Sequence, residues 1–138
     1  MLGLAVAQEL ERSGFGVYGE TIYYGISPIL ADGTPTGSNC LWVNSNTVGV
    51  SGDLYTDTVT ISTRFEDPFD QDKTLLKLCK WVHGNQTCIL SCKPIADISF
   101  QHCEIQPPAT VNFSAVDDNG RFIKELVFPV RYKLPEQF

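Results

Sequence analysis

The sequence predicts an α+β fold, an antiparallel or mixed β-sheet with two helices packed on it. Three observations carry this. The segments run helix, strands, helix, strands, without the regular strand–helix alternation of a parallel α/β protein. Residues 58–84 read as strand, sharp turn and helix. Residues 110–134 carry a strong hairpin pattern. A length of 138 residues suits one domain, 1–138, with a real core, and 43% hydrophobic with 19% charged residues is ordinary for a globular chain.

Taken in order, Leu2, Ala5, Val6 and Leu10 share a helical face and Ser13-Gly14 ends the segment, so residues 2–13 form the first helix. Residues 15–26 are aromatic and β-branched but interrupted by Gly16, Gly19 and Gly25, which predicts a bent or bulged strand. Residues 28–38 are loop chemistry, with prolines, glycines and an Asp-Gly turn. Residues 40–44 form a short strand. Residues 45–57 are then expected as a long polar connection that is either functional or a simple hairpin tip.

The unit at 58–84 is the clearest. Val59, Ile61, Thr63 and Phe65 alternate with Thr58, Thr60, Ser62 and Arg64, as in a half-buried strand. Asp67 is a good N-cap and Pro68 suits the first helical position. Phe69, Leu75, Leu76, Leu78, Cys79 and Val82 make one apolar stripe, and Gly84 is a left-handed stop. Strands follow at 88–93, ended by Pro94, and at 98–105, ended by Pro107-Pro108, which marks a sheet edge or a crossing. In the last third, Asn119-Gly120 predicts a two-residue turn that sets Phe113 against Leu126 and Val111 against Phe128. Pro129 predicts that this end of the last strand is an edge.

The composition and motifs exclude more than they name. A net charge of −6 argues against a general nucleic-acid binder. No apolar run approaches a membrane span, and the short apolar start at residues 1–6 lacks a basic leader, so neither a membrane partner nor a signal peptide is expected. Five cysteines, an odd number, favour reduced thiols and no disulfide. Cys79, His83, Cys88, Cys92, His102 and Cys103 suggest a metal set, but there is no Cys-x2-Cys knuckle. Cys88 and Cys92 on one strand stand about 13 Å apart, too far to share one tetrahedral ion. A Cys–His dyad fails because the neighbours His102 and Cys103 point to opposite strand faces. The acids Glu66, Asp67, Asp70 and Asp72 fall at a helix N-terminus, and Asp117 and Asp118 in a turn, where each is ordinary. Residues 14–19 have the wrong spacing for a dinucleotide loop. No catalytic residue, metal ligand or cofactor is therefore expected. Val48, Val50, Leu54 and Tyr55, apolar residues in a polar stretch, are the candidate interface residues, with 45–55 as an interface loop.

With these segments in place the chain resembles the tail terminator proteins of long-tailed phages, also described as tail-completion or minor capsid proteins. The resemblance rests on Ser13-Gly14-Phe15-Gly16 after the first helix, the strand Cys40-Leu41-Trp42-Val43, and the Gly-containing stretch from Gly49 to Asp53. It continues through Val59-Thr60-Ile61-Ser62-Thr63-Arg64, Ile105-Gln106-Pro107-Pro108, Asp118-Asn119-Gly120-Arg121-Phe122 and Val130-Arg131-Tyr132. Five cysteines and the Pro/Gly-rich 28–38 stretch depart from that pattern. The resemblance implies a non-enzymatic homo-oligomeric ring, usually a hexamer, at the head-proximal end of the virion tail. Its partners would be the tail tube protein and the head–tail connector, and DNA would pass through its channel without specific binding. A head-completion or tube-like protein, or a small enzyme using Cys92 or Cys103, are the alternatives.

Overall fold

The computed structural model describes residues 2–25, 39–84, 91–92, 98–99, 101–106, 109–116 and 120–133. The 28–38 stretch, Cys88, Pro94, Pro107-Pro108 and Asp117-Asp118-Asn119 lie outside the described residues. The fold is α+β. Its elements are α1 (Leu2–Arg12), β1 (Ile22–Tyr24), β2 (Cys40–Ser51), β3 (Leu54–Phe65), α2 (Pro68–Gly84), β4 (Ser91–Cys92), β5 (Ile98–Ser99), β6 (Gln101–Ile105), β7 (Thr110–Val116) and β8 (Phe122–Lys133). A mixed sheet runs β1-β2-β3-β8-β6, with β7 also paired to β8, and β4-β5 form a separate pair. β1 and β2 are parallel and the other pairings antiparallel.

Alternation decides which face of the sheet is the core. Val59 and Ile61 of β3 align with Phe128 and Leu126 of β8, and Ile61 with Val43 of β2. All of these are buried in one cluster with Leu75, Leu78, Trp81 and Val82 of α2 and most of α1. Helix α1 is buried all round its first two turns, contacting β1 and β2 on one side and β4 on another. It approaches β1 and β2 so closely at Gly3 that an added Cβ would stand 3.0 Å from Tyr24 Cε1 and 3.1 Å from Ser45 Oγ. The Gly3 amide donates to that same Oγ at 2.9 Å. The far ends of the helices are joined by Trp81 Nε1, which donates to Ser13 Oγ at 3.0 Å.

Helix α2 starts as its sequence dictates. Asp67 Oδ1 accepts from the Phe69 amide at 2.8 Å, the N-cap bond, and Pro68 opens the first turn. Its apolar face differs from the expected stripe. Phe69 and Leu76 are exposed and Cys79 is half-buried, while Gln71 is fully buried. Gln71 Nε2 reaches the Phe122 carbonyl at 2.9 Å and Thr63 Oγ1 at 3.0 Å, so an amide ties the helix to β3 and β8. Gly84 is the last helical residue and has no positive φ, so it is not the left-handed stop expected.

Four further expectations are corrected. The bent strand at 15–26 reduces to β1, because the Val17 carbonyl collects the amides of Glu20, Thr21 and Ile22 in a tight turn. The strand at 40–44 runs on to Ser51, so of the two alternatives for 45–57 the hairpin holds, with its tip at Gly52-Asp53, and the long connection does not. The register of β7 on β8 places Phe113 opposite Lys124 and Val111 opposite Leu126, not Leu126 and Phe128. The register of β8 is held by β3 inside the core, whereas β7 is peripheral, with Val111 and Val116 exposed, so apolar matching did not set that pairing.

Pro129, finally, lies in an inner strand, between Thr58 of β3 and the Gln106 amide, which donates to the Pro129 carbonyl at 2.9 Å. In an antiparallel ladder a residue's N–H and C=O point to the same neighbour. The missing proline donor therefore faces the β6 side, where the pairing shifts from Ile105↔Val130 to Thr110↔Val127 across Pro107-Pro108. The β3–β8 ladder loses no bond.

Candidate assembly surface

Residues 45–55 belong to an extended hairpin. β2 and β3 pair from Cys40↔Arg64 to Ser51↔Leu54, leaving Gly52-Asp53 as a two-residue turn. Gly52 has φ +64°, the positive value that both primed hairpin turns require at this position. The inner end of β2 is buried at residues 40–43, and its outer end is exposed from Asn46 onward. The change comes where α1 stops covering the strand, at the Gly3–Ser45 contact. The outer half is an arm whose β2 side is exposed and whose β3 side stays paired to β8 as far as Leu54↔Lys133.

The four candidate residues all lie on this arm and divide into two pairs. Val48 is 65% exposed and is the extra residue of a bulge, between the pairs Thr47↔Asp57 and Gly49↔Thr56. Val50, 59% exposed, stands opposite Tyr55. Leu54 and Tyr55 are half-buried, and Tyr55 packs against the core and stacks on Tyr132 with ring centroids 5.7 Å apart. Val48 and Val50 are thus the outward apolar surface, and Leu54 and Tyr55 attach the arm to its own chain. The attachment continues in the Asp53–Lys133 ion pair at 3.3 Å.

A residue absent from the sequence-based candidates holds the base of the arm. Asp57 is buried, and its Oδ1 accepts from Thr47 Oγ1 at 2.8 Å and from the Tyr132 hydroxyl at 3.0 Å. Burial first, then the bond to Asp57, push the Tyr132 hydroxyl from its ordinary value of 10 up to about 12. The signal available in the sequence was an acid inside a β-branched run, Leu54 to Val59, but placing Asp57 in a loop concealed it.

Among the described residues, those considered for chemistry are dispersed. Cys40 and Cys103 are buried, Cys79 is half-buried against the core, and all three are thiols and not halves of a disulfide. Cys88, and the side chains of Cys92 and His102, lie outside the described residues. His83 is exposed at the C-terminal end of α2, where the helix dipole favours a cation. Glu66 and Asp67 precede α2, and Asp72 is bridged to Lys124 at 2.7 Å. Among the described residues no three His, Cys, Asp or Glu side chains converge on a possible metal position. A depression of about 270 Å³ between Phe15, Leu41, Phe65 and Thr74 is mainly apolar, with Cys40 the one ionisable group among its described lining residues. No described helix is long and apolar enough to cross a membrane. No protein-family model matches this chain, and no curated protein matches it by sequence.

Proposed function

We propose that this protein is a structural virion component, a homo-oligomeric ring of six copies that closes the head-proximal end of a phage tail tube. In this reading it assembles in the host cytoplasm, ends tube polymerisation by occupying the last tube face, and offers its other face to the head–tail connector. The observation that carries the reading is the outer half of the β2–β3 hairpin. It exposes Val48 and Val50 at 65% and 59%, on a ribbon pinned to its own chain through Tyr55, Asp57 and Asp53. A rigid arm with outward valines suits insertion against a neighbouring subunit better than it suits catalysis, because apolar exposure of this kind is relieved by contact.

Native mass spectrometry of the purified chain tests the assembly. A closed six-chain ring supports the proposal, an open tube supports a tube-like protein, and a monomer with one unusually reactive thiol supports a cysteine enzyme. Val48→Lys with Val50→Lys should reduce the ring to single chains without unfolding them. In the phage, deletion of the gene should leave tailless heads and tails of abnormal length, and normal tails joined to heads in its absence reject the function.

A further inference from the structure

Helix α2 turns a patterned face outward. Phe69 and Leu76 are 66% and 69% exposed and lie seven residues apart. Single exposed hydrophobic residues are common and need no explanation. Here each is followed four residues later by a lysine, Lys73 and Lys80, and Lys73 Nζ sits 4.7 Å from the centroid of the Phe69 ring. At 3.6 residues per turn, Phe69, Asp72, Lys73, Leu76, Lys80 and His83 fall within roughly 100° of the helix circumference. The face is a narrow apolar seam edged by charge.

The charge is also divided along the helix. Glu66, Asp67, Asp70 and Asp72 occupy the N-terminal end, and Lys73, Lys77, Lys80 and His83 the remainder. The helix dipole favours that division, but it gives no reason for two large apolar side chains between the ends. A second copy does. If two α2 helices lie antiparallel across a two-fold axis at Leu76, Leu76 meets the partner's Leu76. Lys80 then meets the partner's Asp72, which is bridged to Lys124 of its own chain at 2.7 Å but keeps a 59% exposed side chain, and His83 meets the partner's Phe69; these two contacts occur twice and the Leu76 contact once, on the axis. A parallel pair would stack acid on acid and lysine on lysine. A uniformly acidic partner would suit the lysines and be repelled by the four acids. The charge pattern therefore selects one occupant and one orientation.

We propose that the outward face of α2 is a two-fold contact between copies of this chain, with the helices antiparallel and centred on Leu76. It is distinct from the ring contact of the hairpin arm. Applied to single chains, it makes dimers; applied to rings, it joins two of them.

Sedimentation velocity of the full chain over a wide concentration range tests it. The expected result is a reversible doubling of mass, of chain or of ring, that Leu76→Glu abolishes. In a Lys124→Ala background, which removes the intrachain bridge to Asp72, Lys80→Asp and Asp72→Lys should each weaken the doubling by about tenfold or more, and the two together should restore it, since the pair is then only exchanged. In a Cys79→Ser background, Leu76→Cys should form an interchain disulfide under mild oxidation much faster than Lys77→Cys, which lies off the axis. Doubling that survives Leu76→Glu, no rescue in the exchanged pair, or equal cross-linking at both positions overturns the proposal. Loss of the six-fold mass with doubling retained rejects the ring and leaves this contact standing.

Discussion

The Asp57 carboxylate is buried with two donors, Thr47 and Tyr132, on one oxygen. A buried carboxylate that loses a donor keeps its desolvation cost, so Tyr132→Phe should destabilise the fold by about 1–3 kcal/mol in urea unfolding at neutral pH. The pH dependence has a definite sign. Tyr132 titrates near 10 when unfolded and at about 12 when folded, so its neutral form is the native one. Its contribution is complete below pH 10 and is lost as pH rises from 10 to 12, because only the unfolded chain ionises in that window. The stability gap between wild type and Tyr132→Phe should therefore narrow across that window, and a gap that is constant or widens there contradicts the assignment. Two other residues show how far single positions could be read from sequence. Arg64 was readable as a strand residue on the face opposite Ile61, which favours solvent for an arginine. It is buried instead, with its guanidinium 5.6 Å from the centroid of the Trp42 ring. Gln71 was readable as a polar helix position, yet it is buried because its amide meets the carbonyls of Thr63 and Phe122 at the end of the sheet. Both depend on what lies above them in space, which no local pattern carries.

At the scale of elements, the existence of α2 and β3 was legible because Asp67, Pro68 and the alternation from Thr58 to Phe65 are local signals, whereas the start of β3 at Leu54 and the burial of residues 61–65 on both faces were not. The β2–β3 hairpin was readable only as one of two alternatives, and its strand lengths were not, although Ser51-Gly52-Asp53-Leu54 contains a Gly-Asp turn pair. β2 leaves the core at Ser45 and is exposed from Asn46 to Ser51, so the alternation that identifies a half-buried strand is missing there. The turn itself is testable. Gly52 has φ +64° and an added Cβ would meet nothing within 4 Å, so Gly52→Ala should cost about 1 kcal/mol through backbone strain alone. Gly49 has equal space and no positive φ, and Gly49→Ala should change stability by less than about 0.5 kcal/mol. Equal losses at the two positions in thermal unfolding show that the backbone at Gly52 is not what the turn requires. The four candidate interface residues all fall on the β2–β3 hairpin, and only pairing with Tyr132 separates the anchoring Tyr55 from the outward Val48 and Val50.

For the whole molecule, the governing quantity is charge against apolar contact. Each copy carries −6 at pH 7, so six copies in a ring carry 6 × −6 = −36. Residues 44–56 of the arm contain one ionisable group besides the phenol of Tyr55. That group, Asp53, is already paired with Lys133 of its own chain. The contact we assign to Val48 and Val50 therefore has little attractive charge to offset the mutual repulsion of the copies, and must gain its free energy from apolar burial. Screening then acts in one direction. The Debye length falls from about 30 Å at 0.01 M to about 10 Å at 0.1 M salt, which removes repulsion between copies while leaving the buried valines unaffected. Assembly by the arm should strengthen as salt is raised through that range, and again as pH is lowered toward the isoelectric point near 4.7, where net charge vanishes. In the α2 contact salt weakens Lys80 against the partner's Asp72 while it also relieves the repulsion between the two copies, so the two effects oppose each other there. Sedimentation at low and high salt should show six-fold mass gaining population more steeply than two-fold mass. A six-fold species that dissociates as salt rises is held by opposite charges, and that result removes Val48 and Val50 as the basis of the ring.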